Sequence, residues 1–164
     1  MSDSDTSVLN QQDLKYCRNQ LRKAKKKRRS AEEALEDSTP APSYSNVISD
    51  CQQCIELSGK ILFRLVGEHP PEQHDISFES GQKVLRAEFP DSFGSESNLP
   101  RVIFLTQFWN EFYLPAKYGE ENYGIAPDNL FRKEEAELAV SHAKFCFNAV
   151  SDLFHSVQYE QRNR

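Results

Sequence analysis

Apolar residues recur at helical spacing along most of the chain, and clear period-two alternation is absent. Leu14, Cys17, Leu21, Ala24, Arg28, Ala31 and Leu35 follow a 3-4-3-4 rhythm. This predicts a long first helix from about Asp13, with one narrow buried stripe. Arg28 is the single break in that stripe; its aliphatic stem is expected to cover apolar surface while the guanidinium reaches outward. The helix should stop near Asp37, because Ser38-Thr39-Pro40-Ala41-Pro42 cannot continue it. A second helix is expected from about Ser45 to Val66, burying Val47, Ile48, Cys51, Cys54, Ile55, Ser58, Ile61, Leu62 and Leu65. Gly67 stands where a left-handed cap would end it, and Pro70 follows.

A shorter helix is predicted from Phe78 to Glu88, closed by Phe89-Pro90-Asp91. After a Ser/Gly/Glu loop comes an aromatic-rich helix from Leu99 to Leu114, carrying Phe104, Phe108, Trp109, Phe112 and Tyr113. Pro115 and Gly119 should break it up and leave residues 115–130 irregular. The last helix, from about Lys133 to Tyr159, has a wide apolar face from Ala136 to Val157, and Glu134 and Glu135 suit its first turn. The expected fold class is all-α, an antiparallel four- to five-helix bundle with short connections. Residues 1–12 read as a flexible tail, 13–159 as one domain and 160–164 as a second tail.

Composition narrows the function classes. A net charge of −5 gives no globally basic surface for nucleic acid. No apolar run is long enough to span a membrane, and the acidic N-terminus is unlike a secretory signal. A soluble, cytoplasmic protein with reduced thiols at Cys17, Cys51, Cys54 and Cys146 is expected. The run Arg22-Lys23-Ala24-Lys25-Lys26-Lys27-Arg28-Arg29 could bind phosphates. On a helix its charges spread over three sides, and Glu32, Glu33, Glu36 and Asp37 follow one turn on, so a solvated helix face is the favoured reading. Cys51-Gln52-Gln53-Cys54 has the thiol spacing of zinc and redox sites, but it falls on an apolar helix face, where cysteine packs as a small hydrophobe. No metal site or cofactor motif is assigned, and no phosphate-cradling glycine loop is present.

Candidate acid–base chemistry centres on the connection His69-Pro70-Pro71-Glu72-Gln73-His74-Asp75. His74-Asp75 could be a histidine oriented by a carboxylate, although Asp in such a place more often caps the next helix. Arg64 and His69 have a spacing at which arginine could stabilise a phosphorane while histidine moves a proton. His142, beside the apolar stripe of the last helix, and His155, near its exposed side, read as structural or solvated.

The order of these pieces resembles the HEPN domain, the all-α "higher eukaryotes and prokaryotes nucleotide-binding" family. Two long antiparallel helices lead to a Pro…His-Asp-(Leu/Ile) pattern, here Pro70-Pro71-Glu72-Gln73-His74-Asp75-Ile76. An aromatic segment of the type Tyr-x-x-x-Arg-Tyr-Pro follows, here Tyr113-Leu114-Pro115-Ala116-Lys117-Tyr118-Gly119. An acidic, alanine-containing run opens the last helix, here Phe131-Arg132-Lys133-Glu134-Glu135-Ala136. Lys117 replaces an arginine, keeping charge without the bidentate fork, and Gly119 replaces a proline. The Arg-x4–6-His motif of HEPN ribonucleases is missing from the start of the last helix, so the resemblance does not carry over the ribonuclease site.

The resemblance implies an RNA- or nucleotide-associated binding module, a homodimer, paired with a minimal nucleotidyltransferase. Lys117, Tyr113, Tyr118 and His74, with the basic stretch of the first helix, would line the ligand face. A metal-independent ribonuclease toxin of a toxin–antitoxin pair is the alternative, for which His74, Arg64 and His69 are the candidate catalytic residues. A non-enzymatic helical scaffold for protein–protein interaction is the third reading.

Overall fold

Helix α1 (Gln11–Glu36) and helix α2 (Tyr44–Leu65) pack side by side in a computed structural model that describes residues 9–36, 43–72 and 76–163. Their cross-links run in opposite directions along the chain. Lys27 near the end of α1 pairs with Asp50 near the start of α2 at 3.0 Å, and Ser30 donates to the same carboxylate. Asp13 at the start of α1 pairs with Arg64 at the end of α2, 3.6 Å apart. The two helices therefore form an antiparallel hairpin.

Helix α7 (Lys133–Arg162) completes the core. Its Gln161 donates to the Leu9 carbonyl at 2.7 Å, and its Lys144 reaches Glu32 at 3.4 Å. It thus runs antiparallel to α1 and parallel to α2. Parallel neighbours need a long crossover, and residues 66–132 supply it. Helix α2 is central, with 13 of its 22 residues buried, including the whole expected apolar set from Val47 to Leu65. A helix buried on more than one side must carry more apolar positions than a surface helix.

The helix ends follow local chemistry. Ser43 caps α2, its hydroxyl accepting from the Asn46 amide. Gly67 has φ 80°, and the Glu68 amide donates back to the Phe63 carbonyl at 2.9 Å, closing α2 with a left-handed turn. Helix α3 (Phe78–Leu85) is capped by Ser77, whose hydroxyl accepts from the Ser80 amide; it ends three residues before the expected Glu88. The expected cap, Asp75, lies outside the described residues. Glu135 closes the entry to α7 by accepting from the Arg132 amide at 2.8 Å.

The crossover departs most from expectation. The aromatic helix α4 (Leu99–Asn110) stops before Leu114, and the chain re-enters a helix at α5 (Tyr113–Tyr118). Pro115 lies in the first turn of α5, where its missing N–H costs no intrahelical bond, so it permits a helix instead of breaking one. Segment 115–130 is therefore not wholly irregular. A short hairpin joins Glu120 and Ile125 by two backbone hydrogen bonds, and a one-turn helix α6 (Pro127–Leu130) follows. Gln11, Gln12 and Glu160 to Arg162, assigned to tails by periodicity, belong to α1 and α7.

Arg28 also corrects its expectation. The guanidinium does not reach into open water; it lies 4.8 Å above the Phe147 ring of α7 and contacts Glu32 and Asn148. The bundle is all-α, as the periodicity implies. No helix among the described residues is long and apolar enough to cross a membrane.

Candidate functional site

The crossover places three of the expected ligand residues, Tyr113, Lys117 and Tyr118, on α5, which packs against α2 and α6. Lys117 is one turn past Tyr113 and next to Tyr118. Its ammonium lies 5.5 Å from the Tyr113 ring centre and 5.2 Å from that of Tyr118, and donates to the Tyr113 hydroxyl at 3.3 Å. Those hydroxyl contacts hold the Lys117 pKa above its usual value. Tyr118 is exposed, and Ala116 anchors the opposite side of this short helix in the core. The arrangement presents one cation with aromatic rings to solvent.

Gly119 explains the departure from proline in this segment. Its φ is +77° and its ψ −160°, a region closed to proline and strained for any residue with a Cβ. A Cβ there would collide with the Ile125 carbonyl oxygen. The Glu120–Ile125 hairpin requires glycine where the family pattern has proline.

Arg64 turns toward α1, pairing with Asp13 and lying 5.1 Å from the Tyr16 ring centre. Its guanidinium ties the end of α2 to the start of α1. His69 is exposed beyond the Gly67 cap. His74 lies outside the described residues. Cys51 and Cys54 are buried and unbridged, like Cys17 and Cys146. Burial pushes the Cys17 and Cys54 thiols up to about 12 and raises those of Cys51 and Cys146 as well. Such thiols are inert at neutral pH.

The basic stretch divides between two surroundings. Lys27 and Arg28 are held by acids, whereas Arg22, Lys25, Lys26 and Arg29 face outward. Arg22 also joins a groove that sequence order conceals. Lys15, Arg18 and Arg22 of α1 meet Gln158, Gln161 and Arg162 of α7 along an open cleft of about 630 Å³. Among the described residues, no carboxylate lines it. The contact of the two helix ends creates this concentration of cations, which counting charges along α1 alone misses.

A second cluster joins α4 to α7. The Trp109 indole donates to Nδ1 of His142 at 3.0 Å, while a terminal nitrogen of Arg101 lies 3.4 Å from Nε2 of the same ring. Trp109 is buried, His142 half-buried and Arg101 exposed. Burial, reinforced by the Arg101 charge, lowers the His142 pKa. One signal for this cluster is present in the sequence. Arg101 is a cation in the first turn of a helix that has no acid there, against the helix dipole.

Comparison with curated proteins and with solved structures gives no match. The family model described as "HEPN domain" matches residues 18–153, from the first turns of α1 to the last part of α7. With most of its length covered by that match and an all-α bundle to accommodate it, the chain belongs to the HEPN domain family.

Proposed function

We propose that this HEPN domain is an RNA- or nucleotide-associated binding module that works as a homodimer beside a nucleotidyltransferase-like partner protein. The observation that carries the reading is the α1–α7 groove, in which Lys15, Arg18, Arg22 and Arg162 face one cleft with no carboxylate among its described lining residues. Clustered cations release counterions from a phosphate backbone, and this term dominates sequence-independent affinity. The Lys117–Tyr113–Tyr118 set, with His74, forms the second part of the proposed ligand face. There the ammonium can hold a phosphate and the exposed Tyr118 ring can stack on a base.

Binding of fluorescein-labelled single-stranded RNA, followed by anisotropy at several salt concentrations, tests the reading. Four phosphate contacts would give a slope of log K against log salt of about −3. An Arg18→Gln/Arg22→Gln double variant should reduce the slope by about half, and Lys117→Gln reports whether the α5 face contributes. Absence of RNA and nucleotide binding at low salt would sink the proposal. Sedimentation of the pure chain and its co-purification with a co-expressed nucleotidyltransferase-like partner test the assembly.

A further inference from the structure

The contacts around His142 contain more donors than acceptors. The Trp109 indole N–H can only donate, and so can the Arg101 guanidinium. A neutral imidazole offers one N–H and one bare nitrogen. Trp109, 3% exposed, takes the bare nitrogen with the better geometry, 3.0 Å against 3.4 Å. The remaining proton must then sit on Nε2, where it meets the Arg101 N–H face to face. Exchanging the tautomer only moves the conflict to Trp109. Protonating the ring worsens it, because both nitrogens then donate. Two donors held together share an acceptor; water can serve, and an oxyanion serves both N–H groups while also neutralising the Arg101 charge.

Other features point the same way. Arg101 has no carboxylate partner among the described residues, and its guanidinium lies 5.4 Å from the Phe145 ring centre. Its neighbours one turn on along α4 are Phe104 and Leu105, and those of His142 along α7 are Leu138, Ala139, Phe145 and Cys146. None is acidic. Arg101 also stands in the first turn of α4, where no side chain caps the helix and the dipole favours negative charge. A cation placed against its helix dipole is a local rule broken, and such breaks concentrate at functional sites.

We propose that Arg101 and Nε2–H of His142 form a binding site for a phosphate-type oxyanion, with Trp109 acting as the positioning residue that fixes the imidazole tautomer. The three side chains come from two helices and lie outside any Arg-x4–6-His spacing. The site is separate in residues from the α1–α7 groove and from Lys117, so either proposal can fail alone.

The single tryptophan makes the site directly observable. The full-length chain labelled with ¹⁵N is titrated with sodium phosphate, and separately with phenyl phosphate, sodium acetate, and sodium chloride at matched ionic strength. Saturable shifts of the Trp109 indole and His142 ring nitrogen signals are expected with phosphate. Tighter binding of phenyl phosphate would identify an esterified phosphate as the better ligand, and tighter inorganic phosphate the free ion. Arg101→Gln should weaken the response at least tenfold, and Arg101→Lys should weaken it less. Lys117→Gln should leave it unchanged. Equal responses to acetate and phosphate would overturn the phosphate assignment. A response that chloride reproduces, that both Arg101 variants retain in full, or that never appears in the unmodified chain would overturn the site.

Discussion

Gly59 sets how closely α2 approaches α4, and replacing it with alanine tests that contact quantitatively. A Cβ at this position would lie 2.9 Å from both Cγ2 and Oγ1 of Thr106, and 3.5 Å from its Cβ. Carbon atoms in ordinary contact prefer about 3.5–4.0 Å. Thr106 cannot simply turn away. It is buried, β-branched and held by its hydroxyl, which donates to the Val102 carbonyl at 2.8 Å. Rotating it would forfeit that bond, worth about 1 kcal/mol. Overpacking of this kind costs ~1–3 kcal/mol, while removing glycine from a helix interior recovers about 1 kcal/mol. Gly59→Ala should therefore destabilise the protein by up to about 2 kcal/mol. In a Thr106→Ala background the nearest former obstacle is the ordinary 3.5 Å contact, and the same substitution should stabilise by up to about 1 kcal/mol. Urea denaturation followed by helical circular dichroism, at constant m, measures all corners of the cycle. The reasoning fails if Gly59→Ala has the same sign and size in both backgrounds.

Three further predictions rest on separate contacts. Gly119→Ala should cost ~2–3 kcal/mol, because strain at positive φ adds to the collision with Ile125, whereas Gly124→Ala should cost only ~1–2 kcal/mol for its left-handed backbone, since nothing crowds its Cβ. Equal melting-temperature losses would contradict the collision. His142 has a depressed pKa when folded, so the unfolded chain binds its proton more readily. Its contribution to stability is full above the ordinary histidine range near pH ~6.5 and is lost as pH falls through the depressed value. Protonating Nδ1 also breaks the Trp109 bond, so Trp109 emission should change with a midpoint below pH ~6.5 and lose that transition in His142→Gln; a midpoint at or above that pH would count against it. The four thiols should resist a disulfide reagent in the native protein and all react in urea, and one fast native thiol would refute their burial.

The long helices were legible because each buries a continuous stripe. Leu14, Cys17, Leu21 and Ala24 on α1 and Val47 to Leu65 on α2 repeat at the helical period, and those positions are buried. What the period cannot state is which neighbour a stripe meets. Arg28 looked like an outward-reaching side chain because α1 alone offers it only water and Glu32. Phe147 and Asn148, from the far end of the chain, turn it inward. Pro115 misled for the opposite reason. Its effect depends on whether a helix is starting or continuing, and a helix starts at Tyr113. The end of α3 at Leu85 and the cap at Ser77 are local details that competing turn residues nearby obscured.

The site shows why a family pattern and a folded arrangement carry different information. Lys117, Tyr113 and Tyr118 could be proposed together because one aromatic segment of the family pattern carries all three, and α5 brings their side chains into contact. Arg101 and His142 are 41 positions apart, and the sequence's one hint of them is a cation in the first turn of α4. His142 sat beside an apolar stripe, where a satisfied core histidine is the ordinary outcome. It is satisfied on one side by Trp109. The surplus donor arises only when α4 and α7 cross, because Trp109 and Arg101 then compete for one imidazole acceptor. No count along either helix contains that competition. The donor conflict at His142 is therefore a property of the α4–α7 crossing and of neither helix alone.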